Sequence, residues 1–132
     1  MKTNDDIESY LLKLDYPYQQ VKDGLWIIHS GAANIVVAHT PPVIVFRVKM
    51  FDLQKGKKLE PLYRKLLELN AKEMVQGAYG IENESVVLVD SLQSENLDMN
   101  EFQAAIDSLS LAVHNHHDVL AQYHEHVDAA QG

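Results

Sequence analysis

The chain has 132 residues, no cysteine and a formal net charge of −8 at pH 7. This length predicts one domain over residues 1–132, and the lack of cysteine excludes disulfides and thiolate metal sites. The first residues are acidic, and apolar runs such as residues 43–46 are far shorter than the ~20 residues of a membrane helix. We therefore expect a cytoplasmic protein with no signal peptide and no membrane contact.

The charges are unevenly distributed. All 11 lysines and arginines lie in residues 1–72, which carry a net charge of +3, whereas residues 73–132 carry −11. A basic cluster runs from Arg47 to Lys65. Nucleic-acid binding is nevertheless not expected, because the acidic half would repel a phosphate backbone. The two blocks are interpreted either as solvated surfaces or as a field that steers association with a partner.

The first half of the chain predicts a helix followed by three strands. Residues 5–14 form the helix, with N-cap candidates from Thr3 onward and a stop at Pro17. After a turn at Asp23-Gly24 come strands at residues 25–28, 35–38 and 43–50, joined by short turns as an antiparallel meander. In the last strand, apolar and basic side chains alternate between the two faces: Ile44, Phe46, Val48 and Met50 against Arg47 and Lys49.

The second half predicts a helix, a hairpin and a long helix. The middle helix ends near Asn70, with Pro61 in its first turn and a leucine seam widened by Tyr63 and Leu67. A polar turn at residues 82–85 joins two strands. Asp98 and Glu101 form a capping-box-like start to the last helix, whose stripe contains Phe102, Ile106, Leu109, Val113, Leu120 and Val127, with Ala105 and Ala112 beside it. The order is α-β-β-β-α-β-β-α, an α+β fold with an antiparallel sheet packed with helices.

Motifs for catalysis are absent from the sequence. There is no GxSxG elbow and no phosphate loop, and Gly77 and Gly80 are interpreted as permitting a bulge or a turn. We expect a protein that is not an enzyme and needs no cofactor.

The last helix contains five of the seven histidines: His114, His116, His117, His124 and His126. His114, His117 and Asp118 share one face at spacings that can bind zinc or nickel, so a metal-responsive sensor is the alternative function. A response to mild acid is a separate hypothesis. His116 points into the apolar stripe and is predicted to lie at the edge of the core with a hydrogen-bond partner.

Three predicted strand segments are apolar on both faces: residues 25–28, 35–37 and 86–89. A sheet with helices on one side alternates more cleanly, so the second face should be covered by a helix of the chain, a second subunit or a bound segment. Surplus apolar residues are therefore candidates for a protein or dimer interface, although each could equally belong to the core: Leu62, Tyr63, Leu66, Trp26, Ile28 and Val87.

Several short segments, in this order, resemble proteins of the YbjN-domain family: residues 14–18 (LDYPY), 23–26 (DGLW), 66–71 (LLELNA), 80–84 (GIENE) and 86–88 (VVL). That family is related in fold to class I type III secretion chaperones, also called Tir-chaperone-like. The resemblance implies a small, acidic, often dimeric domain that binds an extended segment of another protein and has no catalytic residues. The resulting hypothesis is a homodimeric chaperone-like or regulatory binding protein whose partner is unknown.

Overall fold

The computed structural model describes residues 2–31, 33–74 and 76–131, with side chains described as far as Tyr123. Its three helices and six strands confirm the predicted α+β fold, and the strands form one sheet in the order β1-β2-β3-β4-β6-β5 in which every pairing is antiparallel. The elements are α1 (Asn4–Leu14), β1 (Tyr18–Lys22), β2 (Leu25–Ser30), β3 (Ala33–Thr40), β4 (Val43–Asp52), α2 (Glu60–Lys72), β5 (Ala78–Glu82), β6 (Ser85–Gln93) and α3 (Met99–Gln131).

The predicted order omitted strand β1, so four strands rather than three precede α2. Strand β1 is an edge strand with four exposed residues, Gln19–Lys22, and its sequence shows no apolar alternation. It pairs with β2 across the turn at Asp23-Gly24, where Gly24 has a φ of +78°. Strand pairing here depends on the partner strand and the turn, which a pattern of buried residues does not reveal.

The helix starts match the capping signals in the sequence. The Thr3 hydroxyl accepts from the Asp6 backbone N–H at 3.2 Å, and the Asp6 carboxylate accepts from the Thr3 N–H at 2.8 Å. At α3, the Asp98 carboxylate accepts from the Glu101 N–H at 2.8 Å, and the Glu101 carboxylate accepts in return from the Asp98 N–H at 3.3 Å. Each reciprocal pair satisfies N–H groups that a helix leaves open at its start.

All three helices contribute to one core on one face of the sheet, called the inner face. The inward residues of β2 to β4 from Trp26 to Val48 are buried except Ser30, which is part-exposed, and the predicted alternation in β4 is confirmed up to Val48. The Phe102 ring of α3 lies 5.6 Å from the Phe46 ring and 5.7 Å from the Tyr10 ring of α1, measured between centroids. The predicted α3 stripe is buried through Leu120, and the Val127 side chain lies outside the described residues.

Helix α2 lies along the free edge of β5. The Asn70 side chain accepts from the Tyr79 N–H at 2.7 Å and donates to the Tyr79 carbonyl at 3.1 Å, as a neighbouring strand would. This covers part of an edge that would otherwise invite further strand pairing. Gly77 leads into β5 with a φ of +81°, and a Cβ there would lie 3.0 Å from the Val89 carbonyl oxygen.

Candidate protein-binding surface

The face of the sheet opposite the helices, called the outer face, is largely apolar. Pairing places Ile27 beside Val36, Val36 beside Arg47, and Arg47 beside Val89, so these residues form one row across four strands. A second row contains Leu25, Ala38, Val45 and Ser91. Apolar side chains are therefore neighbours both across the strands and along them, and they form a continuous patch.

The helices leave this patch accessible. In β2, β3 and β4 of the described chain, no outward residue from Leu25 to Lys49 is buried, whereas the inward residues beside them, apart from Ser30, are buried almost completely. Apolar residues on both faces predicted a cover for the second face. The described helices do not supply this cover for the outward residues of β2, β3 and β4.

The sheet residues that the sequence singled out lie on different faces. Trp26 and Ile28 are fully buried on the inner face and have no accessible surface for a partner. Their alternates Leu25 and Ile27 take the outward positions, because side chains alternate along a strand. Because the strand is apolar at four successive positions, its sequence does not show whether the odd-numbered or the even-numbered residues face the core. Val87 is on the outer face and is 7% exposed.

On α2, Leu62 and Leu66 are buried in the core, whereas Tyr63 is 37% and Leu67 is 68% exposed. The residues that widened the leucine seam are therefore the outward ones. They belong to the surface called the α2 face, which lines a shallow concavity of about 490 Å³ and comprises Glu60, Tyr63, Arg64, Leu67, Glu68, Ala71 and Lys72. In the sequence, the width of the leucine seam indicated these outward residues, because the seam is wider than one buried stripe of a helix needs to be.

A deeper groove of about 550 Å³ lies where the β4–α2 loop, the start of α2 and α3 meet. Its apolar lining includes Phe51, Leu53, Leu59 and Tyr123, and its polar lining includes Lys57. A register shift in β4 between Lys49 and Phe51 places Phe51 opposite Val86. The sequence showed the loop only as polar and glycine-containing and did not indicate this groove.

The histidines of α3 do not form a metal site in the described residues, since no three His, Cys, Asp or Glu side chains are grouped closely enough there. His114, His117 and Asp118 are exposed, and the Nδ1 atom of His117 lies 3.2 Å from the Asp118 carboxylate. The side chains of His124 and His126 lie outside the described residues. This arrangement gives no support to the metal-responsive sensor.

His116 is buried, as predicted, and its Nδ1 atom lies 2.6 Å from the Tyr79 hydroxyl. Burial lowers the pKa of His116, an effect that the nearby Glu73 carboxylate opposes and Lys65 reinforces. Burial also raises the pKa of Tyr79. The neutral imidazole therefore accepts from the tyrosine hydroxyl, and this bond connects α3 to β5.

We expect the free energy of unfolding to fall as the pH is lowered from about 7.5 to about 5.5. Burial keeps the His116 pKa below its usual 6.5 in the folded state, so the unfolded chain takes up more protons in this range and stability is lost toward acid. In urea unfolding, a His116→Gln variant should lose less stability over this range than the wild type. His114→Gln, at an exposed site of the same helix, should keep the wild-type dependence; equal curves for all three proteins would contradict this expectation.

In the described residues, no helix is long and apolar enough to cross a membrane. The family model CesT_Tir_1 matches residues 1–126 of the chain. The chain belongs to this type III secretion chaperone family. The match confirms the resemblance found in the short segments and covers all three helices apart from the end of α3. No curated protein sequence is significantly similar to the chain.

Several solved structures share the fold of this chain at low sequence identity. YbjN from E. coli is 12% identical, with a TM-score of 0.66 over 89% of this chain and 93% of that one. The ExoU–SpcU heterodimer from the type III secretion system of Pseudomonas aeruginosa contains a chain with 14% identity and a TM-score of 0.65, over 86% and 94%. The HopA1–SchA chaperone–effector complex contains one with 10% identity and a TM-score of 0.55, over 76% and 81%.

Proposed function

We propose that this protein is a non-enzymatic chaperone that holds an extended segment of a client protein on the outer face of its sheet, and that it acts as a homodimer. The observation that carries this proposal is the continuous apolar patch, centred on Ile27 and Val36, which the described helices leave accessible. Family membership supports a protein as the ligand. The chaperone–effector complex among the similar structures supports the same type of partner.

The outer face suits an extended segment better than a folded domain. Most of its outward side chains are part-exposed, and they lie in rows set by strand pairing. Alternate side chains of an extended chain point the same way, so one face of a client segment can lie on the apolar patch. Arg47 lies within the first row and pairs with Glu82 at 3.3 Å, which adds a polar contact at a defined position.

Replacing Val36 by aspartate tests the outer face. An aspartate in the middle of the patch would have to be desolvated when the client binds, so we expect the affinity for the client to fall at least ~10-fold. Asn34→Asp is the matched control, because it places the same charge on the same strand at an exposed position outside the apolar rows.

The measurement has two stages. A client is first captured from an extract of the native host and identified by mass spectrometry, and its purified binding segment is then titrated by calorimetry. Wild type and Asn34→Asp should bind alike and Val36→Asp weakly. Equal affinity for all three proteins would overturn the placement of the client on the outer face.

The α2 face supports the homodimer. Tyr63, Leu67 and Ala71 form an apolar column at i, i+4 and i+8, and beside it runs a column of alternating charge: Glu60, Arg64, Glu68 and Lys72. Columns with this spacing are neighbours along one side of a helix. A patch of apolar side chains with a charged column on one side is suited to contact with a like surface.

An antiparallel pair of α2 helices about a two-fold axis brings the two charged columns to the same side. If the axis passes the level of Leu66, Glu60 faces Lys72 of the second copy and Arg64 faces its Glu68. Both contacts occur twice in the dimer, so the pattern is self-complementary, as an isologous interface requires. The apolar columns then pack against each other beneath the charges.

A further inference from the structure

The groove at the start of α2 is separate from both the outer face and the α2 face. Its walls are the end of β4, the loop to α2 and one turn of α3, and its apolar lining is large enough for two bulky side chains: Phe51, Leu53, Leu59, Pro61, Leu62 and Tyr123. The α2 face points away from it, so a dimer through α2 would leave the groove open.

Among the described residues that line the groove, two of the three charged side chains are lysines. Lys57 and Lys58 line it, and the exposed Lys55 belongs to the same loop. The carboxylate in the lining, Asp52, already accepts from the Ser85 hydroxyl at 2.7 Å and lies 3.0 Å from the Lys49 ammonium. The groove is therefore an apolar concavity bordered by lysines, in a chain whose net charge is −8. Such a groove favours an anionic occupant.

The start of α2 adds to the positive potential. Leu59 occupies the N-cap position and makes no side-chain capping bond, while Pro61 lies in the first turn. The first N–H groups of a helix carry partial positive charge. This contribution is secondary to the lysines, and it acts in the same direction at the same wall of the groove.

The shape of the groove distinguishes between kinds of anionic ligand. Sites for small molecules enclose most of the ligand surface, whereas this groove is open along one side. An open groove accommodates side chains of a polypeptide whose backbone stays at the surface, as in recognition of short segments by apolar anchors. A peptide with apolar anchors and flanking carboxylates fits both the lining and the charge.

We propose that this groove binds a client segment in which one or two large apolar residues are flanked by aspartate or glutamate. The inference rests on the proposed function, since it assigns a second contact to the same client. The outer face would hold an extended stretch through apolar rows, and the groove would select for acidic flanks through Lys57 and Lys58.

Dye-labelled synthetic peptides of about twelve residues test the proposal by fluorescence anisotropy. One has a Leu-Phe centre with Asp and Glu flanks, a second has the same centre with Lys flanks, and a third has the acidic flanks with Ser at the centre. We expect the first to bind at least ~10-fold more tightly than the other two at low salt. The Lys57→Glu/Lys58→Glu variant should reverse the preference between the acidic and the basic flanks.

Lys13→Glu is the control, because it reverses an exposed lysine on α1, away from the groove and the outer face, and it should bind the acidic peptide like the wild type. Equal binding of acidic and basic peptides, or an unchanged preference in the double lysine variant, would overturn the assignment. Binding of decanoate, a small anionic amphiphile, without binding of the peptide would also overturn it. Each of these results leaves the calorimetric comparison of Val36→Asp with Asn34→Asp unaffected, so failure of the groove and failure of the proposed function are distinguishable.

Discussion

Replacing Leu109 by alanine should destabilise the protein by about 3 kcal/mol, within the 2–5 kcal/mol typical of a buried leucine. Leu109 is fully buried in α3 on the inner face. A Cβ on Gly77 would lie only 3.2 Å from the Leu109 Cδ2 atom, so the side chain fits closely against the turn into β5. Removing three carbons would leave a cavity that the sheet and helix could fill only in part. Urea unfolding at neutral pH measures the loss.

Leu111→Ala is the matched control, because Leu111 lies two residues along the same helix and is 59% exposed. The same truncation there should change stability by less than ~0.5 kcal/mol. A similar loss at both positions would mean that α3 does not present the face described here to the sheet.

Replacing Leu67 by aspartate should convert the proposed dimer into a monomer. Leu67 is 68% exposed in the single chain and lies in the middle of the apolar column of the α2 face. A two-fold axis makes each substitution act twice. The loss of apolar burial by the two leucine side chains alone weakens association by about 3 kcal/mol, or roughly 100-fold. Placing two carboxylates in the interface weakens it further. Light scattering coupled to size exclusion measures the mass directly.

Leu12→Asp is the control, because Leu12 is also a helical leucine, 65% exposed, but on α1. It should leave the mass unchanged. The charged column gives a second test, in which Arg64→Glu and Glu68→Arg each weaken the dimer about 10-fold and the double reversal restores it. A monomeric wild type, or a dimer unaffected by Leu67→Asp, would contradict the proposed arrangement.

Most of the fold could be predicted from the sequence, because the features that indicate its helices and strands lie within short stretches of the chain. The capping residues at Thr3 and Asp98, the proline in the first turn of α2 and the alternation in β4 each depend on a few neighbouring residues. Strand β1 was missed because it is an exposed edge strand, and its pairing with β2 depends on residues that a burial pattern does not describe.

The surfaces were less readable than the fold. Excess apolar residues correctly indicated that the sheet has a second apolar face. The sequence of β2 does not show which alternate residues face outward. Trp26 and Ile28 were therefore chosen as interface candidates, whereas Leu25 and Ile27 face outward. The groove beside Lys57 combines residues from β4, α2 and α3. No spacing along the chain brings these together, since their proximity depends on how the helices pack.

Site-specific photo-crosslinking in the native host shows directly whether the outer face holds the client. A photoreactive benzoylphenylalanine is placed in turn at Ile27 and at Val36, on neighbouring strands of the outer face, and at Leu12 on α1 as the control. We expect crosslinks to one and the same protein from Ile27 and Val36, and none from Leu12. Crosslinks to that protein from Leu12 alone would contradict the placement of the client on the outer face.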